Sequence, residues 1–132
     1  MNKYLLDTDI VVFLLRKRCG IAERVSKLNP SQLFVSEVTV AELEYGCYCS
    51  GRYEENRYMM DKFLSLVNIV PFADAVPLYA KEKFRLRTLG TSITDLDLFI
   101  ACTSVANGLI MVTNNQKHFA RVDNIVIENW VD

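Results

Sequence analysis

The feature that most constrains this chain is a series of short apolar runs separated by longer amphipathic stretches. Tyr4-Leu5-Leu6, Leu33-Phe34-Val35, Asn68-Ile69-Val70, Leu109-Ile110-Met111-Val112 and Ile125-Val126-Ile127 read as strands. With no in/out alternation, such strands are expected to be buried on both faces. Helical segments fill the intervals. Asp9 is placed to cap a helix over Ile10–Leu15, closed by Arg16-Lys17-Arg18 and Gly20, and a second helix spans Ile21 to Leu28 before Asn29-Pro30. Thr39 opens a helix that runs past Gly46, another covers Glu54 to Leu66, and Asp74 and Pro77 start one that ends at Leu89 before Gly90. Thr94 opens the last, through Asn107-Gly108. Buried strands alternating with helices predict the α/β class: a three-layer α/β/α sandwich around a parallel sheet of about five strands, with residues 1–132 forming a single domain.

Composition excludes several classes of function. Neither a P-loop nor a GxGxxG fingerprint occurs, which disfavours a nucleotide-binding enzyme. No apolar run approaches the roughly 20 residues needed to cross a bilayer, and Asp7 and Asp9 interrupt the only early apolar stretch, so no secretory signal is read there. The cytoplasm is the expected compartment. The cysteines Cys19, Cys47, Cys49 and Cys102 lack the spacing of a zinc site and are expected as reduced thiols, mostly in the core. A formal charge of −1 leaves no global field for nucleic acid. Any grip on RNA or DNA must come from a local patch. Arg16-Lys17-Arg18 is one candidate, also explained as charge at a helix C-terminus. Lys81, Lys83, Arg85 and Arg87 form another, with Arg85 and Arg87 the nearer in sequence to the Thr94 helix.

In a parallel sheet, ligands bind outside the carboxyl ends of the strands. Asp7 ends the first strand, Glu42 falls early in the helix after the second, Asp97 falls early in the helix before the fourth, and Asn114-Asn115 follow the fourth. Thr39…Glu42 and Thr94…Asp97 also fit the capping box, and Asp9 fits an N-cap, so these acids have a local explanation. Asp7 has none, because a carboxylate ending a buried strand needs a partner, solvent or a cation. Acids on one rim repel one another unless a cation lies between them, and oxygen-only donors suit Mg²⁺ or Mn²⁺. Metal held in this way can activate water and stabilise charge at phosphorus.

These residues resemble a known family along nearly the whole chain. Tyr4-Leu5-Leu6-Asp7-Thr8-Asp9-Ile10, Ser36-Glu37-Val38-Thr39-Val40-Ala41-Glu42-Leu43 with Gly46, Gly90-Thr91-Ser92-Ile93 before Asp95-Leu96-Asp97-Leu98-Phe99-Ile100-Ala101, and Leu109–Asn115 with Phe119 follow in order. The pattern is similar to that of PIN-domain ribonucleases of the VapC toxin type. The resemblance implies a PIN fold and a metal-dependent endoribonuclease, with tRNA a frequent substrate class. It also implies a VapB-like antitoxin that inhibits the enzyme, and a homodimer. Asp7, Glu42 and Asp97 match the acidic positions that bind Mg²⁺ or Mn²⁺, and Asn115 stands at the fourth acidic position, leaving a second metal open. Asp95 is a candidate to supply part of that charge. His118, where relatives often carry an acid, is expected at the surface.

Three further expectations follow. The catalytic set is Asp7, Glu42, Asp97 and Asn115, with Thr8 or Thr113 orienting phosphate or water. The aromatic Glu44–Phe63 region, with Tyr45, Tyr48, Tyr53 and Tyr58, suits either core packing or a partner-binding helical hairpin. The alternative function is a catalytically impaired PIN-type module that binds RNA or protein. A receiver-like phosphoacceptor domain fits less well, because the second strand ends in Ser36 and no lysine follows the fifth.

Overall fold

The computed structural model covers residues 1–132. The elements run β1 (Tyr4–Leu6), α1 (Thr8–Leu15), α2 (Ile21–Ser26), β2 (Leu33–Ser36), α3 (Glu37–Cys49), α4 (Tyr53–Leu64), β3 (Asn68–Val70), α5 (Val76–Thr88), α6 (Asp95–Ala106), β4 (Ile110–Val112), α7 (Gln116–Phe119) and β5 (Ile127–Glu128), with short 3₁₀ turns at Pro30–Gln32 and Ala73–Ala75. All strand pairings are parallel, in the order β3-β2-β1-β4-β5.

The alternation of strand side chains splits the core in two. Tyr4, Leu6, Leu33, Val35 and Val112 pack on one face with Ile10, Val11, Leu43, Met60 and Phe63. Leu5, Val70 and Met111 pack on the other with Leu86, Ile100, Ala101 and Phe119. Burial on both faces holds for β1, but Asn68 and Ile69 of β3 are exposed because β3 is an open edge of the sheet. Two cysteines are buried, Cys47 and Cys102, while Cys19 is half-buried and Cys49 exposed. Burial pushes the Cys102 thiol up to about 12. No helix is long and apolar enough to cross a membrane.

Several helix starts differ from expectation, each for a local reason. Asp7, not Asp9, is the N-cap of α1, accepting from the Thr8 amide at 2.8 Å. Ser36 caps α3 through the Val38 amide, so that helix begins two residues before Thr39 and carries Glu42 in its second turn rather than its first. The proposed Thr39…Glu42 capping box therefore does not form. Thr94 does precede α6, but its hydroxyl donates to the Asp97 carboxylate (3.0 Å) instead of the pair exchanging backbone bonds. After α1 the chain turns through left-handed conformations at Lys17, Cys19 and Gly20. At Gly20 a Cβ would also strike the Asp132 carboxylate. The four-residue α7 was not expected. It follows from Phe119, which is fully buried and pulls the turn onto the sheet.

α3 and α4 form a hairpin fastened by Arg57, whose guanidinium donates to Tyr53 Oη (3.1 Å), to Asp61 (3.0 Å) and to the Glu44 carboxylate. Tyr45, Tyr48 and Tyr58 stay on its outer surface, so core packing does not account for them.

Candidate active site

The chain lays β1, β2 and β3 outward in one direction, then returns to put β4 on the other side of β1. The carboxyl ends of β1 and β4 are therefore the switch point of the sheet, where a crevice opens. Asp7 sits there, only 5% exposed. Its amide donates to Val112 O (2.9 Å), and its carboxylate accepts from the Thr113 hydroxyl (2.8 Å) and the Thr8 amide. Desolvation by burial, followed by the charge of Asp9, pushes the Asp7 carboxyl up to about 7. The Thr113 and Thr8 hydrogen bonds oppose that rise, and Asp97 adds to it.

Asp9 was expected only as a cap, yet it belongs to this acidic group. It accepts from the Asn114 amide across the crevice (3.1 Å) as well as from Ile10 N (2.7 Å). Burial raises its carboxyl too, partly offset by those two amides. Its spacing gives no signal, because residues two apart do not share a helix face; Asp9 is tied to the rim by the Asn114 amide at the end of β4.

Asp97 is half-buried at the start of α6. Its Oδ2 accepts from Thr94 Oγ1 (3.0 Å) and from His118 Nε2 (3.1 Å). His118 is thus not the free surface residue expected. Glu42 is attached to the group at one remove, because Thr8 Oγ1 donates to its Oε1 at 2.7 Å and also meets Thr39 Oγ1 at 3.0 Å. Asn115 is exposed, and its amide donates to Thr113 Oγ1 (3.0 Å). The charges that bear on Asp7 are therefore Asp9 and Asp97, with Glu42 linked through Thr8. As the side chains stand, no three His, Cys, Asp or Glu groups are placed together to hold a metal ion. The donor chemistry at the rim nonetheless suits a hard divalent cation, because it is all oxygen and its charge is uncompensated.

Other candidates lie elsewhere. Asp95 points away, accepting from Tyr79 Oη and pairing with Lys83 Nζ, both at 2.9 Å, so it cannot make up charge at the rim. Arg85 is not free to hold phosphate. It pairs in two places with the buried Glu82 (2.9 Å each) and donates to Arg121 O (2.8 Å). Lys81 and Arg87 remain exposed on α5. Beside the rim, α1, α3 and α4 enclose a cavity of about 180 Å³ that runs from Thr8 and Glu42 past Val12, Leu43, Gly46 and Met60.

A parallel α/β/α sandwich with carboxylates gathered where β1 and β4 meet is the arrangement of a PIN domain, and the PIN domain family model matches residues 4–125. Over 136 aligned residues the chain is 38% identical to ribonuclease VapC2 of Haemophilus influenzae, covering 99% of this chain and 100% of that one. It is 30% identical to the tRNA(fMet)-specific endonuclease VapC of Shigella flexneri, over 98% and 99% of the two chains. The fold superposes on a chain of DNA-bound VapBC from Salmonella typhimurium with a TM-score of 0.91 at 32% identity, covering 98% and 99%. The chain belongs to the PIN-domain family, among its VapC ribonucleases.

Proposed function

We propose that this chain, a single PIN domain, is a cytoplasmic endoribonuclease toxin that depends on Mg²⁺ or Mn²⁺ and is held inactive by a VapB-like antitoxin. The observation that carries this reading is the buried Asp7 carboxylate, set beside Asp9 and Asp97 at the switch point of a parallel sheet. Asp7 and Asp97 would hold the metal, with Glu42 reaching it through the Thr8-linked side of the crevice. A divalent ion there would relieve the repulsion among the acids, activate water and stabilise charge on the scissile phosphate. This chain's own residues supply the rest. Thr113 and Thr8 fix the Asp7 carboxylate, and the Asn114 amide fixes Asp9. Asn115, exposed beside Thr113, is free to meet the substrate. RNA is the substrate class, with tRNA the first pool to test, since the Shigella relative is named for tRNA(fMet). The purified protein is expected to cut a tRNA pool in Mg²⁺ or Mn²⁺ and to stop in EDTA. Full cleavage in EDTA, or none with either metal, would refute the reading.

The cavity between α1, α3 and α4 suits an antitoxin segment, because its apolar walls lead directly to Glu42 and Thr8. The exposed Tyr45, Tyr48 and Tyr58, on the outer surface of the same α3–α4 hairpin, offer further apolar area for that partner or for a second copy of the chain. Gly46 lines the cavity, and a Cβ there would meet nothing within 4 Å. Gly46→Leu should therefore fold, and should even gain about 0.5–1 kcal/mol from the helix interior. It should weaken capture of the cognate antitoxin at least about tenfold by filling the groove, a loss of about 1.4 kcal/mol. Unchanged affinity in a titration of Gly46→Leu would place the antitoxin elsewhere.

A further inference from the structure

The segment from β4 into α7 does more than close the sheet. It supplies one donor to each of the three rim carboxylates: the Thr113 hydroxyl to Asp7, the Asn114 amide to Asp9, and the His118 ring to Asp97. The first two donors are a strand-end hydroxyl and a backbone amide. The third is a side chain, brought in by α7.

Packing fixes the position of that ring. Its neighbour Phe119 is 1% exposed and anchors α7 in the core. The imidazole stands edge-on to the Phe119 ring, with centroids 5.3 Å apart. A carboxylate can only accept, so in the 3.1 Å contact Nε2 carries the proton and donates it to Asp97 Oδ2. The Thr94 hydroxyl donates to the same oxygen at 3.0 Å. Both donors thus converge on Oδ2, and Oδ1 is left without a protein donor.

From this geometry we propose that His118 is a positioning residue which, together with Thr94, locks the Asp97 carboxylate so that Oδ1 is presented to a divalent cation at the rim. The inference rests on the metal-dependent reading of the site given above. A ligating group oriented by an outer hydrogen bond is worth roughly 10- to 100-fold in metal affinity, and His118 is the side chain that contributes this bond from outside α6. His118 acts through Asp97 and needs no contact with RNA.

The test uses Mn²⁺ alone, titrated calorimetrically into the purified protein without RNA. His118→Ala is expected to lower Mn²⁺ affinity roughly 10- to 100-fold. His118→Gln, whose amide nitrogen can occupy the place of Nε2, is expected to restore most of it. Wild-type affinity in His118→Ala overturns the proposal, and so does a Gln variant as weak as Ala. Asp97→Asn provides the control for the underlying reading. If it binds Mn²⁺ as wild type does, or if wild type shows no saturable binding, the metal site itself is wrong and the proposal falls with it. A weak His118→Ala beside a metal-binding wild type keeps the two questions apart.

A second readout needs neither metal nor the His118→Ala protein. His118 is the only histidine, so an imidazole ¹⁵N spectrum contains one ring. The ring is expected to carry its proton on Nε2, with a proton resonance that moves when Asp97 is replaced by Ala. A bare Nε2, or a spectrum indifferent to Asp97→Ala, overturns the proposal.

Discussion

Asp7→Asn protein is expected to remain folded and to cleave RNA about 10³-fold more slowly than wild type, a loss of about 4 kcal/mol of transition-state stabilisation. The substitution is nearly isosteric: the Asn oxygen can keep the bond from the Thr8 amide, while its NH₂ takes the place of the oxygen that accepts from Thr113 and must donate to that hydroxyl instead. What it removes is a negative charge 5% exposed at the point where β1 meets β4. The same property gives the variant a second, opposite signature. Without metal, burial and then Asp9 make the ionised Asp7 unfavourable, which is why its carboxyl is raised to about 7. A carboxyl raised on folding stabilises the fold while protonated and loses that contribution as pH climbs through 7. In EDTA at pH 8, Asp7→Asn should therefore melt a few degrees above wild type, and at pH 5 the difference should shrink. Calorimetry and a cleavage assay on the same samples decide both points. A variant as active as wild type would remove Asp7 from the site. One less stable than wild type at pH 8 would mean that its hydrogen bonds, not its charge, dominate there.

Much of this architecture can be read from strand chemistry alone. Leu5-Leu6 and Met111-Val112 are apolar on both faces because both faces are covered, so the parallel sandwich follows from those residues. Asp7 stood out for the complementary reason, as a carboxylate at the end of such a strand. The misplaced helix starts share one physical cause. Helix caps were assigned by residue type at the apparent start of a periodic run, whereas the chain turns into its helix directly from the strand. Ser36 therefore displaced Thr39 as the cap of α3, and Asp7 took the place given to Asp9. That single shift concealed Asp9 as a rim carboxylate and put Glu42 one turn too early. Long-range partners were beyond local reasoning altogether. Nothing near Arg85 in sequence announces the Arg121 carbonyl, and nothing near His118 announces Asp97. His118 was read as a surface side chain because its partner is contributed by another element, and Arg85 as a candidate phosphate contact although Glu82, three residues before it on α5, already holds it.

Glu82 supplies the largest expected effect on stability. It is 2% exposed on α5, yet fully engaged: Arg85 Nε and one guanidinium NH₂ each donate to it at 2.9 Å, and the Asp123 amide donates at 3.1 Å. Since Arg85 also donates to Arg121 O (2.8 Å), the ion pair fastens α5 to the segment between α7 and β5. Removing the carboxylate leaves a cation and an amide without their acceptor beside the buried Leu86 and Val122. Breaking a buried pair typically costs about 3–5 kcal/mol. Arg85 is 35% exposed and can recover some solvation, so Glu82→Ala should cost about 3 kcal/mol, or roughly 10 °C in melting temperature. Glu82→Gln, which keeps one acceptor, should cost less. The pH dependence has a definite sign. The Arg85 hydrogen bonds hold the Glu82 carboxyl below its ordinary 4.5, against the effect of burial and with help from Asp123 N. A carboxyl depressed on folding contributes its stability above the unfolded value and loses it as pH falls through the folded one. The gap between wild type and Glu82→Gln should accordingly be constant from pH 8 to about 5, then close progressively below 4.5. Urea melts at pH 7 and pH 3 measure it. A gap that is the same at both pH values would show that Glu82 acts by packing rather than by charge. A double-mutant cycle with Arg85→Ala adds an independent check, because two residues acting as one pair must show a coupling of about 1 kcal/mol or more.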